Sequence, residues 1–151
     1  MKDENFFCEI TKSEMGYDED VFLYFSIMDE LSVLISEIKD YDTGYKYYDD
    51  LIRIAYTIPD YEYKNIGILD AFKDKLPGPA KIRIDEILMH CNMQSKLLYT
   101  AYTKARIALH YFVKLQKDQR FNKIFNNENL IILKSLMRFF LYRFDEINNN
   151  L

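Results

Sequence analysis

SKLLYTAYTKARIALHYF, residues 95–112, is the stretch that decides the fold class. With Ala101 at zero and a step of about 100° per residue, Leu98, Ala105, Ala108, Leu109 and Phe112 share one side of a helical wheel. Lys96, Thr100, Thr103, His110, Lys114 and Lys117 share the other. The spacing predicts a helix from Lys96 to about Lys117. Ala101, Ala105 and Ala108 keep the apolar stripe thin, so neighbouring helices can approach closely. This is the pattern of a central core helix.

Working outward, Asn126 or Asn127 can cap a closing helix that carries Glu128 in its first turn and runs to about Glu146. Leu130, Ile131, Ile132, Leu133, Leu136, Met137, Phe139, Phe140, Leu141 and Phe144 make that helix apolar on most sides. Such a helix is sandwiched by neighbours or offers part of itself to another protein. On the other side of the central helix, residues 92–95 read as an interruption, and Ile82–Met89 as a shorter helix. Pro77-Gly78-Pro79 is the clearest turn in the chain. A short helix around Ile66–Lys75 precedes it, and a helix over Tyr45–Thr57 ends before Pro59. In the latter, Tyr48, Leu51, Ile52 and Ala55 face inward. Asp42-Thr43-Gly44 breaks the chain before it. Asp18–Asp40 reads as the first long helix, with Leu23, Ile27, Leu31, Leu34 and Ile38 at helical spacing. Together these segments predict an all-α, single-domain helical bundle of five to seven helices, with no β-sheet and residues 1–16 as a loosely packed N-terminal segment.

Composition narrows the class. With 151 residues the chain fits one domain able to bury a sizeable core without staples. Two cysteines, Cys8 and Cys91, suit reduced thiols better than a disulfide framework. No apolar run approaches the roughly 20 residues of a membrane span, and the ends, MKDENFFCEITK and FDEINNNL, read as neither signal nor anchor. A cytoplasmic location follows as an expectation. Net charge is −4, but residues 1–62 carry −11 and residues 63–151 carry +7. Two halves that attract and fold onto each other account for this better than a nucleic-acid surface, because the basic residues are spread out.

Candidate chemistry is sparse. Cys8, Cys91, His90 and His110 lack the paired spacing of a zinc site. Glu86 and His90 are four apart, not the three of a di-iron bundle motif. The four glycines are isolated, so no phosphate loop forms. Neither cofactor nor metal is expected, and no enzymatic activity. Arg106 and His110 lie one turn apart, as a loose counterpart of HEPN-type helical ribonucleases, which space the pair more widely. Tyrosine stands out instead: seven of 13 fall within residues 41–63. Tyrosine is large, stiff and polar-tipped, which suits protein interfaces. A biased genome composition would enrich it too. On these grounds Tyr45, Tyr47, Tyr48 and Tyr56 are candidate partner contacts, and Arg138 and Arg143 mark the closing helix as a second surface, through which a homodimer could form.

YYDDLIRI (47–54), ILDAFKDKLPGP (68–79), SKLLYTAYTKARIALHYF (95–112) and NNENLIILKSLMRFFLYRF (126–144) together resemble the poxvirus Bcl-2-like family. The resemblance lies in element order: a Leu-rich helix, a short helix, a turn, an alanine-bearing central helix and an apolar closing helix. Cellular relatives open the central helix with Asn-Trp-Gly-Arg, whose arginine pairs with an aspartate of a bound helix. Thr103-Lys104-Ala105-Arg106 stands at that place, so the resemblance implies a partner role for Arg106. With no tryptophan in the chain, it implies the branch that blocks host innate signalling rather than a death-helix groove. The expected function is a non-enzymatic, intracellular protein-binding module, an antagonist of host innate immune or apoptotic signalling whose partner is a signalling or defence protein. A bacterial or phage helical adaptor, immunity or anti-defence protein has the same composition, and a HEPN-like RNA-binding or ribonuclease bundle is the third reading.

Overall fold

A computed structural model describes residues 5–8, 11–59, 67–73 and 84–149. The longest helices are α1 (Asp20–Tyr41), α4 (Met93–Gln116) and α5 (Asn127–Asn149). Shorter ones are α2 (Tyr48–Thr57), a 3-10 helix (Gly67–Phe72) and α3 (Ile84–His90). Tyr61, Tyr63 and Pro77-Gly78-Pro79 lie outside the described residues.

The central position expected of α4 is observed. α4 packs on α1 along one flank and on α5 along the other, α2 packs on α1, and the 3-10 helix packs on α5. Leu98, Ala101, Ala105, Ala108 and Phe112 are fully buried, while Leu109 is half-buried at the edge of the stripe. The helix starts three residues earlier than expected. Asn92 does not interrupt it but caps it, its side chain accepting the Ser95 N–H at 3.1 Å. Asn126 does the same for α5, accepting the Asn129 N–H at 2.9 Å.

The inward face of α1 is rotated from the expected one. Val21, Tyr24, Met28, Leu31, Ile35 and Ile38 are buried, whereas Leu23, Ile27 and Leu34 are half-buried. Both stripes have helical spacing and share Leu31 and Ile38. Contact with α4 on one side and α2 on the other selects between them. In α2, Tyr48, Leu51, Ile54 and Ala55 are buried, and Ile52 sits at the edge.

The absence of strands is corrected. Asn5–Cys8 (β1) and Ser13–Gly16 (β2) form an antiparallel hairpin, with Phe6 opposite Met15 and Phe7 opposite Glu14. Its pleat sends Cys8 and Met15 into the core and leaves Phe7 and Glu14 exposed. Phe6 closes on Phe22 at 5.1 Å between ring centroids. A lone two-stranded hairpin is marginal in water; the Phe6–Phe22 contact and the burial of Cys8 and Met15 tie this one to the core.

The charge asymmetry is resolved by cross-half pairing. Lys104 meets Glu30 at 2.6 Å, Arg120 meets Glu19 at 2.9 Å and Lys114 meets Asp20 at 3.5 Å. Exposed pairs like these are each worth about 0–1 kcal/mol. Their common direction, acidic first half to basic second half, is what matters. Among the described residues, no helix is long and apolar enough to cross a membrane.

Candidate functional site

The corner between α1 and α2 gathers most of the sequence-predicted residues. Asp42 stops α1, its N–H still bonded to the Ile38 carbonyl at 2.9 Å. Its carboxylate accepts the Gly44 N–H, which folds Asp42-Thr43-Gly44 into an Asx-type turn. A Cβ at Gly44 would stand 3.0 Å from Arg143 Nη2, so a glycine here leaves the guanidinium its place.

Arg143 reaches that carboxylate from α5. Its Nη2 donates to Asp42 Oδ1 at 2.6 Å and its Nε to Oδ2 at 2.7 Å, a bidentate fork. Nη1 donates to Glu146 at 2.6 Å. The Tyr48 hydroxyl donates to Asp42 Oδ2 at 2.5 Å. Burial by itself would raise the Asp42 pKa; the hydrogen bonds from Arg143 and Tyr48, the guanidinium charge and the Gly44 N–H outweigh it and hold the carboxylate below its ordinary range. Burial, and then the neighbouring carboxylate, push the Tyr48 phenol upward, so it remains a donor.

Around this ion pair runs an aromatic chain. Tyr45 lies 4.8 Å from Phe139 and 5.0 Å from Tyr48, and Phe139 lies 5.6 Å from Phe72 on the 3-10 helix. Burial pushes the Tyr45 phenol up to about 12. Arg138, four residues from Tyr142 on α5, donates from Nη1 to the Phe72 carbonyl at 3.2 Å and to the Lys73 carbonyl. It thereby closes the end of the 3-10 helix. Among the described residues, its Nε is buried without a hydrogen-bond partner.

These placements divide the candidates. Tyr48 is a core residue with its hydroxyl committed to Asp42, and so is not an accessible contact. Tyr45 is half-buried beneath it. Arg138 and Arg143 are engaged within the molecule. Tyr47 (38% exposed) and Tyr56 (66% exposed) do face solvent, together with Tyr41 at the end of α1. Tyr41 and Tyr47 flank the turn. Tyr56 lies about 13 Å farther along α2, on its outward face. Arg106 is exposed on α4, its guanidinium 5.1 Å from the Tyr102 ring.

α5 hides more of its apolar surface than its sequence suggested. Leu133, Leu136, Phe139, Phe140 and Phe144 are buried, and Ile131 is the large apolar side chain that the helix leaves exposed. Asp42 is the site residue that sequence reasoning missed as such. Its one sequence signal was the Asp-Thr-Gly break, which marks a turn but not its partner.

Among the described residues, no group of three or more His, Cys, Asp or Glu side chains could hold a metal ion. No protein-family model matches this sequence, and no curated protein matches it significantly.

Proposed function

We propose that this chain is a non-enzymatic protein-binding module that meets its partner through the α1–α2 corner and the outward face of α2, and that it serves as a viral antagonist of host innate immune or apoptotic signalling. The observation that carries the binding reading is the contrast between neighbouring tyrosines. Tyr41, Tyr47 and Tyr56 are presented to solvent, while Tyr45 and Tyr48 beside them are fixed by Asp42, Arg143 and Phe139. Rigid aromatic side chains on a pre-organised backing lose little entropy on binding and make efficient interface anchors. The family part of the reading is supported by the resemblance in element order, with the alanine-bearing α4 at the centre and the apolar α5 against it.

The test is quantitative affinity capture from cells of the native host, comparing the wild type with a Tyr41→Ala, Tyr47→Ala, Tyr56→Ala variant whose melting temperature is shown to be preserved. Loss of specific captured proteins by the variant supports the reading. An unchanged captured set overturns it. So does RNA cleavage by the purified protein that Arg106→Ala or His110→Ala abolishes, which would establish the ribonuclease reading instead.

A further inference from the structure

α1 and α4 touch along their buried stripes, and beside that line their side chains form a shallow, open groove of about 420 Å³. Its apolar lining is aliphatic: Val33, 62% exposed, and Leu34, half-buried against the core. Asp29, Glu30 and Glu37 line the α1 side, Thr100 and Lys104 the α4 side. Lys104 is already committed to Glu30 at 2.6 Å. Among the described residues, Asp29 and Glu37 have no ion-pair partner. The groove therefore offers an apolar strip bordered by two uncompensated carboxylates.

We infer that this groove docks a basic amphipathic helix of a partner protein, with aliphatic side chains seated on Val33 and Leu34 and Lys or Arg side chains reaching Asp29 and Glu37. The occupant follows from charge and shape. Asp29 to Glu37 spans about 12 Å, the length of roughly two helical turns. Side chains three or four apart on a helix meet an apolar strip of that length, and cations beside them meet its border. Partial desolvation raises the Asp29 pKa. A second copy of this chain is disfavoured as occupant. Symmetric pairing would lay the same carboxylates against each other, which costs rather than stabilises. The groove lies on the α4 flank of α1, apart from Tyr47 and Tyr56, so this inference stands independently of the function proposed above.

The probe is a fluorescein-labelled helical peptide of about four turns, with leucines at i and i+4 along one face and arginines on either side. Its counterpart carries glutamate in place of every arginine. Fluorescence anisotropy is measured against the intact protein at low and high salt. The arginine peptide is expected to bind and to weaken as salt rises, and the glutamate peptide not to bind. Asp29→Asn with Glu37→Gln, and separately Val33→Ser, should each weaken binding by about tenfold while the melting curve is retained. Glu14→Gln with Glu128→Gln, an equal change of charge elsewhere, should leave binding intact. The inference is overturned if the arginine peptide fails to bind at about 1 mM, the weak limit of specific recognition. It is overturned equally if both peptides bind alike, or if the Glu14 and Glu128 control loses as much as the groove variant. Sedimentation supplies the last outcome. A dimer that Val33→Ser dissociates would make a second copy the occupant and overturn the assignment to a partner.

Discussion

Arg143 on α5 grips Asp42 at the end of α1 through two hydrogen bonds of 2.6 and 2.7 Å, across a side chain only 1% exposed. Asp42 is the deeper of the two charges, and removing Arg143 leaves its carboxylate without a counterion.

Arg143→Ala should therefore destabilise the fold by about 3–5 kcal/mol, the cost of breaking a buried pair from one side. Urea unfolding followed by circular dichroism measures it. A charge reversal at Arg143 should read out as lost stability before any effect on association. A loss below about 1 kcal/mol would mean that the pair does not hold α5 to the corner.

The same pair sets an acid limit. The folded-state pKa of Asp42 lies below its ordinary value of 3.8. Its contribution is thus fully present above that value and is lost as pH falls through the depressed folded pKa. The urea midpoint should fall as pH is lowered from about 5 toward 3. In Asp42→Asn, which starts less stable, this part of the decline should be missing. An identical pH slope in the two proteins would show that other carboxylates govern acid unfolding.

Ala105 is fully buried on α4. Ala105→Leu should overpack the core at a cost of about 1–3 kcal/mol, seen as a lower melting temperature. An unchanged melting temperature would mean that the helices flanking α4 stand farther apart than described.

The tyrosines should separate into two classes. Tyr48→Phe removes the hydroxyl that Asp42 accepts and should cost about 1–2 kcal/mol. Tyr47→Ala and Tyr56→Ala, at exposed positions, should each change stability by no more than about 0.5 kcal/mol. Chemical denaturation of the three variants checks this. Equal losses would place Tyr47 and Tyr56 in the folding core rather than on a free surface.

How much of this was legible beforehand depended on distance along the chain. The stripe Leu98–Ala101–Ala105–Ala108–Phe112 needs only local periodicity, and the structure buries it as read. On α1 the periodicity admitted two overlapping stripes, and only the placement of α2 and α4 chose Tyr24, Met28 and Ile35 over Leu23, Ile27 and Leu34. The hairpin escaped because four-residue strands carry too short an alternation, and no Asn-Gly pair joins them to signal a turn. Asp42 and Arg143 are 101 positions apart. Nothing local marks such a pair, and so Arg143 read as a surface cation. The seven-tyrosine run was visible, but the division of its five described members into buried and presented ones depends on which ring meets Phe139, a contact from a distant helix.

That separation has a consequence for how the protein is made. Synthesis proceeds from the N-terminus at about 5–20 residues per second, so α1 and α2 emerge several seconds before α5 does. Until then Asp42 has no guanidinium to meet, and residues 1–62 carry −11 with the compensating second half still on the ribosome. Like-charge repulsion therefore opposes early compaction of the first half, and the corner closes only once the distal helix has been delivered.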